Sequence, residues 1–138
     1  MYEAIFIPDG VDAPPYEIIN QPELQVYVTD FGKRIGDICY VSECDNKIVG
    51  AVWVRIMNDY GHVDDETPSF AISLHKEYRN YGIGTELMKR MISELKKQGY
   101  KQASLSVQKI NYAFHMYSKL GFVIIDENDE EYIMLCKL

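Results

Sequence analysis

Between residues 79 and 85 the chain reads Arg79-Asn80-Tyr81-Gly82-Ile83-Gly84-Thr85, two glycines in a loop that opens into an amphipathic helix. Glycines let the backbone turn sharply with successive N–H groups facing one point, and a helix N-terminus adds partial positive charge. Such a loop can cradle a phosphate; the plainer reading is that Gly82 and Gly84 only relieve a tight strand-to-helix connection. Two familiar phosphate loops do not fit. A Rossmann loop needs a third glycine where Leu87 stands, and a Walker loop needs Gly-Lys followed by Ser or Thr, which occurs nowhere in the chain. The other groups with chemical potential are an acidic stretch at Asp59, Asp64, Asp65 and Glu66, an asparagine at 111 and a tyrosine at 117. His62, His75 and His115 have no metal-ligand spacing, and Cys39, Cys44 and Cys136 form no CxxC pair, so no metal site is expected. An odd cysteine count without a secretion signal points to reduced thiols, with Cys39 and Cys44 as packing residues on opposite faces of one strand.

The elements that must position these groups follow from periodicity. Pro22 opens a short helix that is expected to run through Phe31. Residues 37–43 alternate, Asp45-Asn46-Lys47 turns, and Ile48 through Met57 form a second strand that is apolar on both faces and so central in its sheet. Ser69 to Leu74 is a third strand. Ile83, Leu87, Met88, Met91, Ile92 and Leu95 share one face of a helix that ends at Lys96-Lys97-Gln98-Gly99. Ala103 to Val107 is a strand. A helix with Asn111 as N-cap and Gly121 beyond its end carries Ala113, Met116, Tyr117 and Leu120 as its stripe. Phe122 to Ile125 and Tyr132 to Cys136 are the last strands, separated by an acidic turn. This order predicts a mixed sheet with helices against it.

The 138 residues are 47% apolar and 25% charged, which fits one folded domain over 1–138. With 14 basic and 21 acidic residues the net charge is -7, so nucleic acid is a poor partner. No apolar run reaches the roughly 20 residues that span a bilayer, and Met1-Tyr2-Glu3-Ala4-Ile5-Phe6 lacks a basic flank, so a soluble cytoplasmic protein without membrane partners is expected.

Arg79-x-x-Gly82-x-Gly84, preceded by Leu74-His75-Lys76-Glu77-Tyr78, resembles the acyl-CoA pyrophosphate loop of the GCN5-related N-acetyltransferase (GNAT) superfamily. Asn111-x-Ala113-x-x-Met116-Tyr117-x-x-x-Gly121-Phe122 resembles a second block of that family, in the right order and at the right separation. The resemblance covers about Asp37 to Leu138. It implies a GNAT-like α/β (α+β) fold: a mixed, mostly antiparallel central sheet with a splayed parallel strand pair and flanking helices. It further implies acetyl-CoA as cofactor, with Arg79, Asn80, Tyr81, Gly82, Ile83, Gly84 and Thr85 around the pyrophosphate. Ile72, Ser73 and Leu74 would run along the pantetheine arm, and a backbone N–H such as that of Leu74 would polarise the thioester carbonyl. Asn111 would hydrogen-bond pantetheine, cap its helix, or do both. Tyr117 would protonate the leaving thiolate; the plainer reading is a core residue, since it is one of 11 tyrosines and lies on an apolar stripe.

The sequence departs from the family pattern in two places. Many members carry a glutamate where this chain has Ser69, Phe70 and Ala71, so Glu66 is the first candidate for the base and Asp65 the second, against the alternative of a solvated acidic loop. Members also carry a strand and a full helix ahead of the region matching Met1–Phe6, so the first strand and part of the first helix are expected to be absent here. The implied activity is transfer of an acetyl group from acetyl-CoA to a primary amine of a small molecule, peptide or lysine, with the acidic stretch favouring a cationic acceptor. The alternative is a non-catalytic acyl-CoA-binding or regulatory module with an incomplete acceptor site. A homodimer through the strands near the C-terminus is a further option.

Overall fold

The computed structural model describes every residue from Met1 to Leu138. Its organising element is a hairpin. β1 (Ile38–Cys44) and β2 (Lys47–Arg55) pair antiparallel across Asp45 and Asn46, both in the left-handed region (φ 50° and 62°), as a two-residue hairpin turn requires. β3 (Ser69–Leu74) pairs antiparallel with the other edge of β2, so β2 is interior to the sheet, as its two apolar faces predict. Gly50 in β2 has a packing reason: a Cβ there would lie 2.6 Å from Leu74 Cδ1.

The six-stranded sheet has the order β1-β2-β3-β4-β6-β5, where β4 is Gln102–Gln108, β5 Val123–Glu127 and β6 Glu131–Lys137. Every neighbouring pair is antiparallel except β3 and β4. Those two run parallel and meet in register only at Ser69 and Ser104, with one further bond from the Ser104 N–H to the Pro68 carbonyl (3.0 Å). Beyond that point they part. The result is the mixed, mostly antiparallel GNAT-type sheet with its splayed parallel pair.

Two helices cover one face. α2 (Ile83–Lys97), counted after a short α1 at Pro22–Gln25, buries Leu87, Met88, Met91 and Leu95 against Val52, Val54 and Leu105. Each such side chain contributes about 1.5–3 kcal/mol when taken fully out of water. α3 (Ala113–Lys119) buries Tyr117 beside Phe122 in the same core of fourteen residues. Both helices end in the same device. Tyr100 N–H bonds to the Leu95 carbonyl and Gly99 N–H to that of Lys96; Phe122 N–H bonds to the Tyr117 carbonyl and Gly121 N–H to that of Ser118. Gly99 (φ 86°) and Gly121 (φ 100°) supply the left-handed residue this motif needs.

The opposite face is covered by the residues before β1, which contain 3₁₀ turns at Tyr2–Ala4 and Tyr16–Asn20, the short α1, and no strand. The helix expected through Phe31 stops at Gln25. Val26, Tyr27, Val28 and Thr29 are poor helix formers, and tertiary contacts claim their carbonyls. Trp53 Nε1 donates to the Tyr27 carbonyl (3.1 Å), and the Arg55 guanidinium donates to those of Val26 and Thr29 (3.0 and 2.8 Å). The same fully buried Arg55 forms a bidentate pair with Asp37 (2.8 Å each). Segment 26–37 is thus strapped onto β2. Of the three cysteines, only Cys136 packs in the core; Cys39, expected as a packing residue, is exposed on the outer face of edge strand β1.

Candidate functional site

The parting of β3 and β4 opens a cleft of about 200 Å³ at the C-terminal ends of both strands. Along β3, His75 N–H bonds to the Val49 carbonyl of β2, so by the alternation of a strand Ile72 and Leu74 turn their N–H and C=O groups toward the opening. The Leu74 carbonyl is taken by Arg79 Nε (2.9 Å), which ties the loop to the end of the strand. Arg79 also reaches Glu3, its Nη2 lying 3.9 Å from a carboxylate oxygen.

The loop that follows leaves its N–H groups free. Asn80 (φ 66°) and Gly82 (φ 82°, ψ 0°) both adopt left-handed conformations and swing the chain into α2. None of the N–H groups from Tyr81 to Thr85 bonds within the chain, and Gly82 caps the helix without a side-chain partner. Five consecutive free donors at a helix N-terminus form an anion site. Gly84 is informative because its φ is not positive and an added Cβ would make only ordinary contact, 3.6 Å from Met116 Sδ and 3.7 Å from Ile72 Cδ1. The fold itself therefore does not require glycine at 84.

Tyr117 lines the cleft. Only 7% of it is exposed, its ring packs against Phe122, and burial pushes its phenol up to about 12. Its hydroxyl has no hydrogen-bond partner in the chain, yet no buried side-chain oxygen lacks a partner, so that hydroxyl opens into the cleft. Asn111 lines the cleft too, and its Oδ1 accepts from the Ala113 N–H (2.9 Å), so the capping role is made.

On the far side of the sheet, loop 58–62 crosses β4 so closely that a Cβ on Gly61 would lie 2.9 Å from the backbone of Leu105 and Ser106. Ser104 Oγ donates to the Gly61 carbonyl (2.7 Å), and Ser69 Oγ donates to Asp59 (2.9 Å). Burial raises the Asp59 carboxyl above the ordinary range, opposed by hydrogen bonds from Ser69 and Tyr27. Tyr27, whose own phenol is raised by burial and by Asp59, lines the cleft with Tyr60 and Glu131.

Of the residues singled out in the sequence, Ile72, Asn111 and Tyr117 are brought together in the cleft; Ser73, Leu74 and Arg79 through Thr85 follow Ile72 along the chain and do not line it. Glu66 does not line it either. It sits three residues before Ser69, at the closed end of the strand pair, in a turn where Asp64 accepts from the Glu66 N–H and from Gln102. Asp65 is 98% exposed. Tyr27, Tyr60 and Glu131 escaped sequence reading, since they come from stretches far apart in the chain that carry no motif. An open groove of about 990 Å³ runs between β1 and α2, is lined at one end by Tyr81, Gly82, Ile83 and Thr85 of the loop, and does not reach Tyr117.

Comparison with known proteins agrees with this geometry. The chain is 27% identical to streptothricin acetyltransferase A of Bacillus subtilis over 123 residues, 84% of this chain and 68% of that one. It is 28% identical to human N-acetyltransferase 8B over 107 residues, 77% of this chain but only 47% of that protein, so it spans about half the length of such a relative. Among solved structures, PaiA N-acetyltransferase from Thermoplasma acidophilum in complex with coenzyme A superposes with a TM-score of 0.69 at 19% identity, covering 88% of this chain and 74% of that one. An acetyltransferase of the GNAT family from Streptococcus pneumoniae gives 0.66 at 23% identity, covering 83% and 75%. A family model described as an acetyltransferase (GNAT) domain matches residues 35–124, so the chain belongs to the GNAT acetyltransferase family.

Proposed function

We propose that the protein is an acetyl-CoA-dependent N-acetyltransferase that moves the acetyl group directly to a primary amine. The observation that carries this reading is that one splayed strand pair joins the free-donor loop at 81–85 to a cleft holding the unpartnered Tyr117 hydroxyl. Several structural relatives are described with bound coenzyme A or acetyl-coenzyme A, which supports the cofactor assignment.

In this reading the N–H groups of Tyr81 through Thr85 hold the pyrophosphate, and the turned-out edge of Ile72–Leu74, apart from the Leu74 carbonyl that Arg79 holds, pairs with pantetheine. The thioester carbonyl then lies by the Leu74 N–H, which strengthens its hydrogen bond as negative charge develops on oxygen. The amine nitrogen attacks the carbonyl carbon, the C–S bond breaks, and Tyr117 gives its proton to the departing sulfur. Because burial keeps the Tyr117 phenol protonated to about 12, this acid is available across the working pH range. The acceptor comes from the opposite side of the sheet, where Asp59 and Glu131 favour an amine that carries positive charge.

The test is thiol release from acetyl-CoA with spermidine, kanamycin, a lysine amide and neutral amines. Turnover with the cationic amines is expected. Coenzyme A binding without thiol release from any of them would contradict the catalytic reading.

A further inference from the structure

Glu131 is the one charged side chain that lines the cleft, and it forms no ion pair, although the N-terminal amine of Met1 lines the same cleft. Glu131 opens β6, opposite Gln108 of β4 in the ladder, and lines the cleft. No lysine, arginine or histidine side chain lines it with Glu131, and nearby Lys109 is committed to Glu127. Acidic groups elsewhere that pack against the fold have partners: Asp37 has Arg55, Asp64 has its own turn, and Glu94 accepts from Tyr40 and Gln98. The Glu131 carboxylate accepts no hydrogen bond and joins no ion pair. Partly burying such a group without a partner is unfavourable, and a cationic guest would relieve that cost.

A second, independent observation places a ligand in the same space. Tyr117 is more than nine-tenths buried, its hydroxyl is unpartnered, and it opens into the cleft that Glu131 lines. The surroundings also set the basicity of Glu131. The titratable groups around it are Asp59 and Tyr60 on the crossing loop, Tyr27 before it in the chain, Glu130 on its own hairpin and Tyr117 on α3, none of them cationic; the cationic groups are Lys109, paired with Glu127, and the N-terminal amine of Met1, which lines the same cleft. Burial first, then Glu130 and Asp59, raise its carboxyl above the usual range, so it holds a proton more firmly than a surface glutamate.

We infer that Glu131 receives the ammonium group of the acceptor and takes the proton that must leave before the nitrogen can attack. This rests on the acyl-transfer reading of the cleft. An N–H bond of the ammonium breaks and its proton passes to a Glu131 oxygen, leaving the electron pair on nitrogen. That pair forms the C–N bond to the thioester carbonyl carbon. The C–S bond breaks with its electrons on sulfur, and sulfur takes the Tyr117 proton. The second proton lost by nitrogen returns through water to the Tyr117 phenolate, and Glu131 releases its own to solvent. One proton is released per acetyl group transferred.

The experiment compares the wild-type chain with Glu131→Gln and Glu131→Asp, using acetyl-CoA with spermidine and a lysine amide from pH 6 to 10. Glu131→Gln is expected to lower kcat/KM by about 10²–10⁴-fold near neutrality. Its stabilisation by coenzyme A should be unchanged, and its rate should recover about tenfold per pH unit as the free amine forms. Glu131→Asp should keep part of the activity. A Glu131→Gln enzyme within threefold of wild type, with the wild-type pH profile, would overturn the inference. A wild-type chain that binds coenzyme A but turns over no amine would contradict the acyl-transfer reading, and a carboxyl titration by carbon NMR then decides the role of Glu131 alone. Glu131 is expected to titrate above the ordinary glutamate range and to move down when spermidine is added to the CoA-loaded protein. An ordinary value that spermidine leaves unmoved would overturn the inference.

Discussion

The two ends of the cleft are built in different ways. The cofactor end is made of backbone: free N–H groups from Tyr81 to Thr85 and the turned-out edge of Ile72 and Leu74, held by Arg79. The acceptor end is made of side chains, Tyr27, Tyr60 and Glu131 with Asp59 behind them, brought by topology from three distant stretches. A backbone site depends on where glycines stand and tolerates most other changes. A side-chain site can be reshaped one residue at a time, so one scaffold can keep its donor and change its acceptor.

The largest expected effect separates the two ends by stability. Asp37→Ala leaves Arg55 buried without its partner and should cost about 3–5 kcal/mol, read from the urea midpoint. Hydrogen bonding to Arg55 lowers the Asp37 pKa, so its contribution is present above the unfolded value and is lost as pH falls through the folded one. The wild type should therefore weaken in acid more steeply than Asp37→Ala. Because Arg55 straps segment 26–37, proteolysis of the variant should begin there rather than at the loop.

Next, Tyr117→Phe should lower kcat by about 10²-fold or more while leaving stability and coenzyme A binding nearly unchanged, since the hydroxyl makes no bond within the chain. Full turnover would return Tyr117 to the core. Gly84→Ala sharpens the comparison further. The added methyl meets only ordinary contacts, so thermal stability should hold or rise, yet coenzyme A affinity should fall about 10–100-fold as the methyl crowds the ligand and lengthens its bonds to the backbone N–H groups. Gly82→Ala is the mildest: its left-handed φ should cost roughly 1–2 kcal/mol of stability, although no atom stands in the way.

These two constructions also explain what the sequence made legible. The sheet, both long helices and the donor loop are encoded locally, by alternation around Asp45-Asn46, by the apolar stripe of α2 and by Arg79-x-x-Gly82-x-Gly84. The helix expected through Phe31 was not legible, because carbonyls that would have continued it are claimed by Trp53 and Arg55 far along the chain. Glu66 precedes β3, and strand direction puts it at the closed end of the opening, a placement that its position in the sequence does not show. Glu131 looked like one acidic residue in an acidic turn. Only the pairing of β6 with β4 brings it to the cleft.

The most direct test of the account is thermal unfolding of the chain with acetyl-CoA, coenzyme A, ATP and NADH in parallel. At about 100 times Kd a specific ligand should add roughly 2.7 kcal/mol, and both CoA species are predicted to do so in the wild type and to lose much of that effect in Gly84→Ala. A folded wild-type chain that neither CoA species stabilises, or that ATP and NADH stabilise equally, would contradict the assignment of the loop and the function built on it.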